Sequence, residues 1–229
     1  MDGPLYQAAA LIVPLIFAIV FHEVAHGWVA NLLGDPTAKE RKRLSLNPLR
    51  HVDPVGTLLV PGFLWLTTHT SFGWAKPVPV IKQRLRNPRF GMMAVAAAGP
   101  GTNLLLAVVG AVLLGLLVRS VGGAAPSETA KFIGLNLNNF LMINIFLALF
   151  NLLPIPPFDG SHIVEGALPR RAAAVYDRLR PLGFVLVIVL LVVIPQFFPQ
   201  ASIIQRFVLP PVEWLGGHYF ALAEAVARS

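Results

Sequence analysis

Four long stretches of this chain are apolar and almost free of charge, and each has about the length that a helix needs to cross a lipid bilayer, or more. About 20 residues are required for a hydrocarbon core of ~30 Å. Over the whole chain, 55% of the 229 residues are hydrophobic and 13% are charged, which is about half the charge of a soluble domain. We therefore predict an all-α polytopic membrane protein with four to six transmembrane helices. The four stretches are Leu5–Leu33, Phe90–Val118, Phe132–Leu153 and Leu182–Phe198.

The basic residues are concentrated in three short segments, 34–53, 70–89 and 159–181, which contain 14 of the 18 Lys and Arg residues. Short basic loops between apolar spans stay in the cytoplasm, and this distribution argues against a nucleic-acid-binding surface. If segment 54–69, which contains glycine and proline, dips into the membrane and returns, all three basic segments share the cytoplasmic side. A re-entrant 54–69, with the N-terminus outside, is therefore the better interpretation.

The residues around this dip show the alternation and turn residues that are typical of strands. Thr37–Leu46 and Gly73–Ile81 both contain this pattern, so we expect a β-containing re-entrant segment between the first and second core helices. Ordinary cytoplasmic loops are the alternative. The tail, 201–229, is weakly amphipathic, and it either lies in the interface or forms another short span.

The first apolar stretch contains the pattern His22-Glu23-Val24-Ala25-His26. Residues four apart lie on one face of a helix, so both imidazoles can reach one zinc ion, while Glu23 is placed to take a proton from water. Three ionisable residues within a membrane span indicate a functional site. A histidine pair in a polar bundle interior, or a proton relay in a transporter, is the alternative. The chain has no cysteine, so thiolate ligands are excluded.

A catalytic zinc site takes three protein ligands, and Asp159 is the carboxylate that best matches the histidines in depth. It follows three prolines in the sequence Asn-Leu-Leu-Pro-Ile-Pro-Pro-Phe-Asp-Gly, and these end the preceding helix. If 54–69 is re-entrant, Asp159 emerges on the same side of the membrane as His22 and His26. The alternative is that Asp159 is an ordinary turn residue at the end of a helix.

In combination, these motifs resemble the site-2 protease family of intramembrane zinc metalloproteases. The resemblance is carried by the histidine motif, by Asn151–Gly160 and by Gly-Pro-Gly-Thr-Asn at 99–103. It implies one Zn²⁺ per chain, bound by His22, His26 and Asp159, with Glu23 as the catalytic base. It also implies that single-span membrane proteins are cut within their transmembrane segments, often as a step in regulated signalling.

Asparagines in the second and third spans are candidate substrate-binding residues. By resemblance, Asn103 holds the substrate backbone or the oxyanion, with a packing hydrogen bond between helices as the alternative. Asn151 is a candidate for polarising a substrate groove, whereas Asn139 and Asn144 are better explained as interhelical contacts.

We expect residues 1–229 to form a single membrane-embedded metalloprotease domain. Its core covers 5–165, followed by a C-terminal span and interfacial tail at 166–229, in a short form without a PDZ or CBS domain. The resemblance and the charge distribution together predict a multi-pass protein of the cell membrane whose active site faces the cytoplasm. An ion-coupled membrane transporter and a catalytically inactive membrane scaffold remain as alternatives.

Overall fold

The structure, a computed structural model, describes residues 3–60, 75–123, 125–198, 200 and 202–229, and most of these residues are helical. The α-helices are α1 (Pro4–Leu32), α2 (Thr37–Glu40), α3 (Pro88–Val121), α4 (Glu128–Asn151), α5 (Asp159–Ala167), α6 (Arg170–Asp177), α7 (Gly183–Ile188), α8 (Ile194–Phe197) and α9 (Leu209–Arg228). Short 3₁₀ turns lie at Pro48–Arg50, Lys82–Arg84 and Arg180–Leu182, and π-helical turns at Pro54–Leu59, Val189–Val193 and Ile204–Val208.

Four helical segments are long and apolar enough to cross a membrane: Leu5–Leu32, Pro88–Val121, Glu128–Asn151 and Arg170–Phe197. They contain most of each predicted span, and they confirm the prediction of an all-helical, multi-pass membrane protein. The last segment comprises α6, α7 and α8, and it starts earlier than the predicted Leu182 because the helices of the basic segment continue into the apolar one.

The main helices begin and end at residues that satisfy their exposed backbone groups. The Asn87 side chain accepts a hydrogen bond from the Phe90 N–H (3.2 Å) at the start of α3, and Ser127 does the same for Ala130 (3.2 Å) at the start of α4. Helix α3 ends at Gly122, whose φ of 58° is left-handed. These caps set the lengths of the two helices that carry the centre of the bundle.

Helix α3 lies at the centre of the bundle and packs against α1, α4 and α9. On the side of α9 the contacts are apolar, and the two backbones come so close that a Cβ on Gly115 would overlap the carbonyl oxygen of Ala223. Small residues allow such approach between helices in lipid. The tail is therefore a helix packed against the bundle. One buried apolar cluster among the described residues consists of Ala107, Ala111, Leu141, Ile145, Val208, Val212 and Ala223.

The strand predictions are wrong for the residues that the structure describes. Thr37–Glu40 is a helical turn, and residues 41–46 and 75–81 contain no strand. The reason lies in the backbone donors of 75–81, since the N–H of Val78 and the N–H of Ile81 are bound by side-chain carboxylates rather than by a neighbouring strand. Residues 73 and 74 lie outside the described ranges.

Of the predicted re-entrant segment 54–69, the structure describes residues 54–60, which form a π-helical turn followed by one helical residue. Residues 61–69 lie outside the described part of the chain, so the dip into the membrane stays a prediction.

Candidate metal centre

Helix α1 presents two buried imidazoles to the interior of the bundle. His22 and His26 are one turn apart, their ring centroids are 4.7 Å from each other, and the ring planes are nearly perpendicular at 87°. Both residues are less than a tenth exposed. Two polar rings buried at this depth in an apolar span need partners, since burial of an unpaired polar group is costly.

Asp159, the first residue of α5, faces both rings. Its Oδ2 atom lies 3.1 Å from His22 Nε2 and 3.4 Å from His26 Nε2. One ligand atom from each of the three residues lies within 4.8 Å of the other two. The structure therefore brings together the three residues that the sequence predicts as metal ligands, although their binding of zinc stays a prediction.

The hydrogen bonds of the ring nitrogens that face away from Asp159 determine the tautomers. His26 Nδ1 lies 2.7 Å from the carbonyl oxygen of Val95, which can only accept, so this nitrogen carries the proton. His22 Nδ1 lies 2.5 Å from Asn103 Oδ1 and also donates. In the neutral form of each ring, Nε2 then presents a lone pair towards Asp159.

Without a cation, only protons could relieve the repulsion among these three electron-pair donors. Burial raises the pKa of Asp159, but with protons also on the two Nε2 atoms, hydrogen bonds from His22 and His26 outweigh this effect and lower the pKa to about 2. The carboxylate therefore stays ionised. Oδ2 is buried and has no other hydrogen-bond partner among the described residues.

A divalent cation between the three atoms would satisfy all of them at once. Two imidazoles and a carboxylate are ligands that zinc prefers, and a tetrahedral ion with ligands at about 2.1 Å separates neighbouring ligand atoms by about 3.4 Å. The observed separations of 3.1 and 3.4 Å between the histidine nitrogens and Asp159 are close to this value. The donor set therefore fits zinc.

Because Gly99 of α3 has no side chain, the two histidine rings can lie against its backbone. A Cβ at this position would lie 2.5 Å from His26 Nε2 and 2.6 Å from His22 Nε2. By contrast, a Cβ on Gly101 would meet no atom within 4 Å. Of these two glycines in the motif at 99–103, the first is therefore required by the metal centre.

Glu23 lines the cavity next to the histidines and does not belong to the three-residue group. Its Oε2 accepts a hydrogen bond of 2.8 Å from the N–H of Val78, which holds the carboxylate in place. The cavity has a volume of about 970 Å³. It is bordered by α1, α3, α4, α5 and the residues around Val78, and the three candidate ligands lie in its wall.

The predicted asparagines occupy different surroundings. Asn151 lines the cavity and donates to the carbonyl of Leu147 (2.9 Å), so its predicted substrate contact is sterically possible. Asn103 is fully buried among protein groups. Asn139 donates to the Ala10 carbonyl of α1 (2.8 Å), which agrees with its interpretation as an interhelical contact.

A charged cluster at the rim of the cavity was not predicted from the sequence. Glu165 of α5 binds Lys82 (2.6 Å) through Oε1 and Arg180 (2.5 Å) through Oε2. His162 lies beside Arg180, and its pKa is lowered by burial and by this guanidinium group. One carboxylate thus connects three segments that border the cavity. These residues are far apart in sequence, so no local pattern could have indicated the cluster.

One family model and three known proteins are similar to this chain. Residues 121–194 match the model of Peptidase family M50. The chain is 37% identical over 189 residues to Putative zinc metalloprotease YwhC of Bacillus subtilis, covering 82% of this chain and 83% of that protein. It is also 28% identical over 190 residues to Putative zinc metalloprotease Rip2 of Mycolicibacterium smegmatis, covering 77% of this chain and 64% of that protein.

A shorter match, 41% identical over 71 residues, is to Putative zinc metalloprotease MJ0611 of Methanocaldococcus jannaschii, covering 31% of this chain and 32% of that protein. No solved structure is significantly similar to the chain. The match at 37% identity covers most of both proteins. The chain therefore belongs to peptidase family M50, the site-2 protease family of membrane metallopeptidases.

Proposed function

We propose that this protein is an intramembrane zinc endopeptidase that hydrolyses peptide bonds within the transmembrane segments of other membrane proteins. One observation carries the proposal: His22, His26 and Asp159 converge between helices of the bundle, beside the carboxylate Glu23 and open to a large cavity. One zinc ion per chain would occupy this site.

The roles of the chain's own residues follow from their contacts. When bound, zinc supplies a Lewis acid that polarises a carbonyl group and acidifies water. The Val78 N–H holds one oxygen of the Glu23 carboxylate at 2.8 Å, and the carboxylate has a second acceptor oxygen that can take a proton from water. The oxygen of this water bonds to the carbonyl carbon of the peptide, the C–N bond breaks, and Glu23 passes the proton to the leaving nitrogen.

The cavity supports a transmembrane segment as the substrate. Its walls include the apolar side chains Ile19, Leu147 and Phe150, and the polar Asn151 lies among them. Such a lining suits an apolar peptide with a few polar backbone contacts. The substrate must unwind locally, because the carbonyl groups of an intact helix are hydrogen-bonded within it. Single-span membrane proteins, cut in regulated proteolysis, are the proposed substrates.

We place the protein in the cell membrane with its metal centre facing the cytoplasm and its N-terminus outside, since the basic segments around Arg43, Lys82 and Arg171 then share one side. The chain has no native cysteine, so single cysteines at these three positions can be labelled cleanly. All three should react from the cytoplasm, and a cysteine at Gly123, between α3 and α4, should react from outside. Labelling of the first two from opposite sides would contradict this orientation.

The function is tested by the variant Glu23→Gln, co-expressed with a panel of single-span membrane proteins whose cut ends are mapped by mass spectrometry. The wild type should cut within apolar spans, near residues that weaken a helix. The variant should keep its fold and its zinc but lose cleavage, because an amide cannot accept the proton from water. A transporter would instead show altered ion flux, and a scaffold would leave every panel member intact. Equal cleavage by variant and wild type would contradict the proposed mechanism.

A further inference from the structure

The side chain of Asn103 joins three helices at the metal centre. Its Oδ1 accepts from His22 Nδ1 of α1 (2.5 Å), and its Nδ2 donates to the Ala18 carbonyl of α1 (3.2 Å) and to Asn144 Oδ1 of α4 (2.7 Å). Asn103 and Asn144 are both fully buried. The two asparagines therefore form a hydrogen-bonded chain that ends on an imidazole.

The direction of this chain is determined by backbone carbonyls, which can only accept. Asn144 donates through Nδ2 to the carbonyl of Phe140 (2.8 Å), so its Oδ1 is turned towards Asn103. The Ala18 carbonyl likewise requires the amide nitrogen of Asn103 on its side. As a result, Asn103 must present its oxygen to His22, and His22 must carry its proton on Nδ1.

This arrangement leaves Asn103 no hydrogen for an oxyanion. A side-chain amide has two N–H hydrogens, and Ala18 and Asn144 accept both of them. Its complete burial also separates it from the cavity that Asn151 lines. The contacts of Asn103 are thus those of a group that acts through His22.

We propose that Asn103, oriented by Ala18 and Asn144, is a positioning residue that sets the zinc affinity of the site by fixing the tautomer and ring orientation of His22. The inference rests on the proposed zinc site. The main-chain carbonyl of Val95 fixes the tautomer and ring orientation of His26 in the same way, and no side-chain substitution removes this carbonyl. Asn103 is therefore the side chain through which the effect can be measured. Partners of this kind typically change metal affinity by about 10- to 100-fold when they are lost.

The test is competition for zinc between the purified protein in detergent and a chelator of known affinity. Asn103→Leu keeps the volume but removes the acceptor, and zinc binding should weaken by about 10- to 100-fold. Asn103→Ala removes the same acceptor without bulk and should give a similar loss. Asn103→Asp keeps an acceptor for the His22 N–H and should retain zinc better than either.

Asn139→Leu is the matched control, because it also removes an amide that links α4 to α1 but touches neither histidine. Its zinc affinity should equal that of the wild type. Asn144→Leu should have a smaller effect than Asn103→Leu, since Ala18 still orients Asn103. If folded Asn103→Leu or Asn103→Ala binds zinc as tightly as Asn139→Leu, the positioning role is wrong.

These measurements contain no substrate, so their failure is distinguishable from failure of the proposed function. A chain that binds zinc as described but cuts no protein would leave the positioning role intact and contradict the protease. A chain that cuts its substrates while Asn103→Leu keeps full zinc affinity would support the protease and contradict the positioning role of Asn103.

Discussion

The two sides of α3 show how differently one membrane helix can be used. Towards α1, it offers the Val95 carbonyl, the bare backbone of Gly99 and the amide of Asn103, all in contact with the two histidines. Towards α9, it offers Ala111 and Gly115, which make apolar or backbone contacts. Both interfaces depend on small residues and close approach, but only the first one places polar atoms in a defined geometry.

The difference follows from what each interface must do. In lipid there is little hydrophobic drive between helices, so close packing holds α3 and α9 together. Hydrogen bonds on the other side are directional, and they determine where the lone pairs of His22 and His26 point. Changes on the two sides should therefore have separable consequences, one for the metal and one for the stability of the bundle.

Of the variants that compare the two sides of α3, Gly99→Ala should disturb the protein most. The added Cβ would lie within 2.6 Å of atoms of both rings, which must move away from Asp159. We expect zinc binding to weaken by at least about 10-fold, in line with other losses of ligand orientation, and cleavage to be lost. The measurement is zinc content after dialysis against a chelator. Gly101→Ala, which meets no atom, should behave as the wild type, and equal zinc in both variants would contradict the role given to Gly99.

A second variant of the same helix should affect stability instead. In Gly115→Ala, the new Cβ overlaps the Ala223 carbonyl and pushes α9 away. Overpacking of this kind costs about 1–3 kcal/mol in the free energy of unfolding. Thermal unfolding in detergent should show the loss, while the folded protein keeps its zinc. Loss of zinc from the folded variant would mean that the two interfaces of α3 are not separable.

The smallest effect is expected at the rim of the cavity. Glu165→Gln removes the charge that Lys82 and Arg180 share, but both partners are more than a third exposed. We expect a loss of about 1 kcal/mol in stability, reduced at high salt, with zinc retained. The exposed pair of Glu224 and Arg228 on α9 is the control, and Glu224→Gln should change stability by less than about 0.5 kcal/mol. Equal effects in the two variants would show that the rim cluster contributes nothing beyond a surface ion pair.

The spans and the two candidate histidine ligands could be predicted from the sequence because each depends on a local pattern. The thickness of the bilayer fixes the length of an apolar helix, and helical periodicity places His22 and His26 on one face. Asp159 could be identified because few carboxylates lie at the matching depth. In these cases neighbouring residues carry the information, and the structure adds the distances.

What could not be predicted depends on how helices turn against each other. The contact between Asn103 and His22 requires the rotation of α3 relative to α1, which no local pattern encodes. The strand prediction for 73–81 failed because the carboxylates of Glu23 and Asp35 bind the N–H groups of Val78 and Ile81. An alternating pattern cannot show that a distant side chain will replace a neighbouring strand.

We propose that His22, His26 and Asp159 hold one zinc ion while Glu23 acts as a base without binding it. Metal analysis of the purified wild type, Glu23→Gln and Asp159→Ala distinguishes these two roles. We predict about one zinc per chain in the wild type and in Glu23→Gln, and nearly none in folded Asp159→Ala, because the carboxylate completes the set of three ligands. A full equivalent of zinc in Asp159→Ala, or its loss from folded Glu23→Gln, would contradict the assignment of ligands and base.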